Sequence, residues 1–263
     1  MGSRSGVKSY RLSFNFYITP GVQWLIIATL AVFFLQILVK VFAGVYAHQK
    51  LLLWFGLVPA GVVPGLRIWQ PFTYLFLHDP NDFLHVLFNM LMLWMFGREL
   101  ELVWGKSRFI RYYFLTGVGA GLIEVLVKTI PVAFGHSASY VPTIGASGAI
   151  FGIFAACAIL FPDRQVNFMF LPIRLTMRSF ALLLAGLEFF LPLILRSAGD
   201  NVAHICHLGG MLVGYLYLRR GSFLYNVRNS VSDWQHKRNR KRFEVYVNKH
   251  RKDPPSRPDN WVN

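Results

Sequence analysis

From Gly21 to Ala43 the chain runs for 23 residues with a single charged side chain, Lys40, close to the end of the run. A helix rises about 1.5 Å per residue, so such a run covers the roughly 30 Å hydrocarbon core of a bilayer. Lipid offers no hydrogen bonds, so a backbone crossing it must satisfy its own N–H and C=O groups, and a continuous apolar run does so as a helix. Five more stretches of low charge follow: His85 to Glu101, Tyr112 to Ile130, Ile144 to Phe161, Ser179 to Leu195, and Ala203 to Leu218. Charged residues make up 15% of the sequence, against about a quarter in a soluble domain. The expected fold is an all-α polytopic membrane protein with six spans.

The formal net charge of +15 does not point to nucleic acid once its distribution is considered. Placing the N-terminus inside puts on one side Arg4, Lys8 and Arg11, then Lys106, Arg108 and Arg111, then Arg164, Arg174 and Arg178, and then the basic tail. The other side keeps Lys50, Arg67, Arg196 and the near-boundary Lys40 and Lys128. By the positive-inside rule both termini are expected in the cytoplasm. Residues 1–20 then form a cytoplasmic N-terminal segment, 21–220 the membrane domain, and 221–263 a polar, basic and flexible tail. The tail's charge suits either an anionic lipid surface or a solvated anchor. The first apolar run is too long for a signal h-region and has no clear A-x-A site, so it reads as a retained span. Cys157 and Cys206 fall in apolar stretches and read as small buried hydrophobes, not as a disulfide or a metal site. The segment from Val45 to Phe83 is rich in Trp, Phe, Leu and Pro, too apolar for a solvated loop. It is expected to lie half-embedded in the outer interface as short amphipathic helices, with tryptophans at headgroup level.

In this topology the second, fourth and sixth spans all enter from outside. Each carries polar residues near its start: His85 and Asn89, then Ser147, then His204 and His207. Ser147 is expected about one turn into its span, and so is His207. Gly148 and Gly152 form a G-x-x-x-G on the fourth span, and Gly210 and Gly214 form another on the sixth. Such pairs let helix backbones pack closely in lipid. Packing these two faces together brings a serine hydroxyl within reach of an imidazole, as an activated nucleophile requires. Gly145 frames the serine on its other side. His85 and Asn89, four apart, share a helix face and can donate to an oxyanion together with the backbone N–H of Ser147. Phe151, one turn after Ser147, can pack on the ring of His207. His204 lies one turn before His207, at the mouth of the site. No acid stands out as the third member of a triad: Asp200 is two turns before His207 and expected to be exposed. A Ser–His pair oriented by packing is therefore expected. Glu124 and Glu188 lie inside spans as either proton relays or neutral structural hydrogen-bonders, the latter favoured. Glu101, with Arg98 and Glu99, is expected to brace the inner end of the second span.

These residues resemble the rhomboid intramembrane serine proteases. Gly145-Ala146-Ser147-Gly148 matches the family's G-x-S-G, and His207 with Gly210 and Gly214 matches its histidine motif. His85 and Asn89 match its H-x-x-x-N, and Glu101 and Gly105 its E-x-x-x-G. The resemblance runs from about Trp69 to Leu218. It implies a six-helix rhomboid-like bundle with a half-embedded first outer loop. It implies Ser147 as nucleophile and His207 as general base and acid. His85 and Asn89 become oxyanion contributors, and Phe151 the aromatic stacked on the histidine. The family often has Trp-Arg in the outer loop where this chain has Trp69-Gln70, so the arginine's bracing or lipid contact is not carried over.

The expected reaction is hydrolysis of a peptide bond in or beside the transmembrane helix of a single-pass substrate, near the outer face, without metal or cofactor. The alternative is a non-catalytic rhomboid-like protein that binds and handles client helices, although such relatives typically lack the serine or the histidine. A haem-binding bundle using His85, His204 and His207 is disfavoured, because these do not form two facing pairs. A bacterial inner membrane is the expected location, and one protomer suffices for the chemistry.

Overall fold

A computed structural model describes residues 17–63, 65–135, 140–167, 174–195 and 204–219. The basic tail from Gly221, the N-terminal Arg4, Lys8 and Arg11, Arg196 and Asp200 lie outside the described residues. The chain divides into two compact units, Met1–Tyr215 and Leu216–Asn263.

The described residues are mostly helical. Helix α1 is Pro20–Phe42, followed by α2 (Gly44–Phe55), α3 (Pro59–Val62) and α4 (Gln70–Thr73), with a 3₁₀ turn at Tyr74–Phe76. Helix α5 (Phe83–Met92) continues through a π-helical turn, Leu93–Gly97, into α6 (Arg98–Trp104). Then come α7 (Lys106–Ala133), α8 (Ser147–Leu160), α9 (Met177–Leu195) and α10 over 204–219. Two of these, α1 and α7, are long and apolar enough to cross a membrane. Their outward faces carry large apolar side chains, with Phe34 60%, Phe42 83% and Leu126 62% exposed. Apolar surface on that scale calls for an apolar solvent.

Helix α8 is the centre. It is apolar all round, and every residue from Gly148 to Cys157 is buried, as expected for a helix enclosed by others. It packs along α7 and against α9 and the π-helical turn. Tyr112 of α7 fixes that packing by donating its hydroxyl to the Gly152 carbonyl at 2.8 Å.

Three expectations change. The third stretch, expected from Tyr112, begins as a helix at Lys106. Gly105, at φ +77°, turns the chain in one residue, and Lys106, Arg108 and Arg111 occupy the first turns of α7. Cations at a helix N-terminus oppose its dipole, so the charges hid the helix start. Ser147 is the first residue of α8 rather than one turn inside it, because Gly145 at φ +124° is not helical. The all-α expectation also misses a small antiparallel ribbon, Gln165–Asn167 with Arg174–Thr176, in register Val166 to Leu175. Three-residue strands are too short to show a period of two.

Glu101 holds the entry to α1. Thr19 Oγ1 donates to its Oε2 at 2.6 Å, the Gly21 N–H to Oε1 at 2.7 Å and the Val22 N–H to Oε2 at 2.9 Å. The first N–H groups of a helix have no partner within it, and a carboxylate there complements the dipole. Glu101→Ala leaves these buried donors unmet, at about 1–3 kcal/mol for each one stranded. The expected result is a clearly lower unfolding temperature in detergent. An unchanged midpoint would remove Glu101 from any bracing role.

Candidate active site

The turn before α8 is set by Tyr74. Its carbonyl accepts the Gly145 N–H at 3.0 Å, and its hydroxyl donates to the Gly117 carbonyl on α7 at 2.7 Å. Ser147 follows at the head of α8, where backbone N–H groups have no intrahelical partner. Tyr74 is fully buried, and sequence reasoning did not single it out.

Helix α10 reaches the same place through its glycines. A Cβ added at Gly210 would overlap the Gly148 carbonyl oxygen, and one at Gly214 would lie 3.1 Å from the Gly152 carbonyl oxygen. The two G-x-x-x-G motifs thus face each other. One turn before Gly210, His207 Nε2 stands 2.7 Å from Ser147 Oγ. Phe151 stacks on the His207 ring with centroids 4.3 Å apart and planes 2° from parallel. The half-buried imidazole is thereby held flat, edge-on to the hydroxyl.

Behind the histidine the structure corrects the expectation that no acid is in place. Glu188 of α9 turns inward, while its neighbours Leu187, Phe189 and Phe190 face outward. Its Oε1 lies 3.0 Å from His207 Nδ1, and its Oε2 is hydrogen-bonded to His204 Nδ1. Glu188, His204 and His207 each place a ligand-type atom within 4.8 Å of the others, the donor types a cation would need.

On the other side of Ser147, a point one Cβ out from Gly145 lies 3.1 Å from His85 Nε2 and 3.8 Å from Ser147 Oγ. The His85 ring and the serine therefore border one small space. Asn89 is buried, and its side-chain amide donates to the His85 carbonyl at 3.0 Å, so one of its two amide protons is spent within the helix. The fully buried His78 packs on His85 with centroids 5.1 Å apart. Burial, then the neighbouring His85, hold the His78 pKa down at about 3, so it is neutral at physiological pH. His78 belongs to no spacing pattern on a span, which is why the sequence did not single it out.

The family model for the Rhomboid domain matches residues 65–221, more than half of the chain and all the side chains just described. The chain belongs to the rhomboid family. This is a family of membrane-integral, polytopic, all-helical proteins, generally intramembrane serine proteases. The chain is 30% identical over 187 residues to "Putative rhomboid protease YdcA" of Bacillus subtilis, covering 69% of this chain and 82% of that one. It is 29% identical over 147 residues to the mitochondrial presenilin-associated rhomboid-like protein of Rattus norvegicus, and 28% identical over 142 residues to the mitochondrial rhomboid protein 1 of Saccharomyces cerevisiae. Each match covers 52% of this chain, but only 34% and 38% of those relatives' own lengths.

In this rhomboid the segment from α2 to α4 is braced without the Trp-Arg pair. The fully buried Gln70 accepts the Val58 N–H at 3.0 Å and donates to the Leu53 carbonyl at 2.9 Å. Arg67, three residues earlier, donates to the same Leu53 carbonyl at 2.8 Å and lies over the Trp54 ring. Trp69 stacks on Trp54. A further tie comes from Glu124, which accepts from Thr143 Oγ1 at 2.5 Å and pairs with Lys128 at 2.7 Å. Glu124 thus joins α7 to the strap before α8 through Lys128 and Thr143.

Proposed function

We propose that this chain is an intramembrane serine endopeptidase that cuts a peptide bond in or next to the transmembrane helix of a single-pass substrate, near the outer membrane face. The observation that carries the reading is the 2.7 Å contact of His207 Nε2 with Ser147 Oγ under the stacked Phe151 ring. Ser147 Oγ attacks the scissile carbonyl carbon while its proton passes to His207 Nε2. The carbonyl π pair moves onto oxygen, next to the free N–H at the head of α8 and the His85 ring. Asn89 retains one amide proton for the same oxyanion. When the tetrahedral intermediate collapses, the C–N bond breaks and the Nε2 proton goes to the departing amine. Water then attacks the acyl-enzyme, giving its proton to His207 Nε2, and Ser147 Oγ recovers it as the acid product leaves. A helical substrate hides its carbonyls in hydrogen bonds, so residues that weaken a helix favour cleavage.

Six crossings, formed by α1, the α5–α6 rod, α7, α8, α9 and α10, complete the reading, with both termini cytoplasmic. The loop from α2 to α4 is half-embedded in the outer leaflet. Residues 21–220 form the catalytic membrane domain, between the cytoplasmic segment 1–20 and the basic tail 221–263. A bacterial cell membrane is the proposed location, in keeping with the long match to the Bacillus subtilis relative.

The test is a fluorophosphonate serine probe on the detergent-purified protein, together with cleavage of a single-pass reporter in proteoliposomes. Wild type should label and cut, and Ser147→Ala should do neither. A folded wild type that neither labels nor cuts would leave the client-binding alternative.

A further inference from the structure

We propose that Glu188 is a positioning residue behind the Ser147–His207 pair, acting on His207 from its Nδ1 side. This inference rests on the protease reading above. A neutral imidazole has one N–H and one lone pair. For Nε2 to take the Ser147 proton, its lone pair must face Oγ, and Nδ1 must then carry the hydrogen. Nδ1 lies 3.0 Å from Glu188 Oε1, within ion-pair reach but without the alignment of a hydrogen bond. A carboxylate can only accept, so a small turn of either side chain lets it take the Nδ1 hydrogen and favour the productive tautomer. It also supplies a counter-charge when His207 becomes imidazolium, in surroundings where an unpaired charge is costly.

The second histidine does not compete for this role. His204 is bonded to Oε2 and His207 approaches Oε1, so each imidazole has its own oxygen. His204 Nδ1 instead holds the carboxylate from behind and fixes its plane. Phe151 sets the tilt of the His207 ring, but stacking is blind to which nitrogen carries the proton. The carboxylate adds what the aromatic cannot.

The test compares Glu188→Gln, Glu188→Asp and His204→Ala with wild type, measuring kcat, KM, the rate of fluorophosphonate labelling at Ser147, and the melting temperature in detergent. Glutamine has the same shape but is neutral, and its amide can donate to Nδ1 and stabilise the wrong tautomer. Glu188→Gln should lower kcat and the labelling rate together by about 100-fold, with KM and melting temperature near wild type. Glu188→Asp, which keeps the charge, should recover part of the loss. His204→Ala should cost less than about tenfold. Glu188→Gln with kcat and labelling close to wild type overturns the inference while leaving the protease reading intact. So does a His204→Ala loss equal to that of Glu188→Gln, which would place the carboxylate's role with His204. A wild type that never labels overturns the protease reading, and this inference with it.

Discussion

Replacing His207 with alanine will lower turnover of a single-pass substrate by about 10⁴-fold or more, with loss of fluorophosphonate labelling at Ser147. A serine hydroxyl is a poor nucleophile at neutral pH, and a base within hydrogen-bond reach is what activates it. Among the described residues, the group recorded in a hydrogen bond to Ser147 Oγ is His207 Nε2 at 2.7 Å. His85 borders the same space, on the side proposed for the oxyanion, so it cannot take over as base without moving. What remains in His207→Ala is the contribution of the oxyanion donors and of substrate binding. The fold should survive, because α10 is seated on α8 through Gly210 and Gly214. A cooperative melt near that of wild type, with substrate still captured, would separate lost chemistry from lost structure. Turnover above about a tenth of wild type would take the base assignment away from His207.

Much of this site was legible because membrane helices leave few choices. A serine beside Gly148 and a histidine one turn before Gly210 lie on faces that only glycine pairs can bring together. The expectation that all three polar-bearing spans share one direction came from where Lys and Arg accumulate. Glu188 was legible in part. It lies seven residues before the end of its span and His207 three residues into the next described helix, so a rise of about 1.5 Å per residue puts them within roughly a turn in depth. What the sequence lacks is rotation about the helix axis: nothing in α9 says which face meets α10. The π-helical turn at Leu93–Gly97 is hidden for the same reason, since an extra backbone residue per turn leaves no compositional mark. Gln70 was misleading in another way. A departure from the family pair suggested a missing brace, yet the amide makes both an acceptor and a donor contact to the loop backbone. Gln70 and Arg67 together therefore fill that place.

Gly210→Ala should cost more than any other single-methyl addition on α10, although glycine to alanine within a helix is ordinarily favourable by up to about 1 kcal/mol. The added carbon would fall on the Gly148 carbonyl oxygen. Backbone cannot swing aside as a flexible side chain does, and Gly148 is itself hemmed in by Ala120, Cys206 and the Tyr74 hydroxyl. The strain is relieved by moving α10 off α8, which carries His207 with it. Overpacking typically costs about 1–3 kcal/mol, and a shift of about 1 Å at the reacting groups can cost about 100-fold in rate. Gly210→Ala is thus expected to lose at least that much activity and to melt earlier. Two other glycines make the comparison sharp. At Gly209 a Cβ would meet Ala120 and Ile123 at 3.4 Å, an ordinary contact, and at Gly186 it would meet nothing within 4 Å. Gly209→Ala and Gly186→Ala should therefore keep near-wild-type turnover, and Gly186→Ala should melt no earlier than wild type. If Gly210→Ala matched these two in rate and melting temperature, the close approach of α8 and α10 would not be what holds the histidine on the serine.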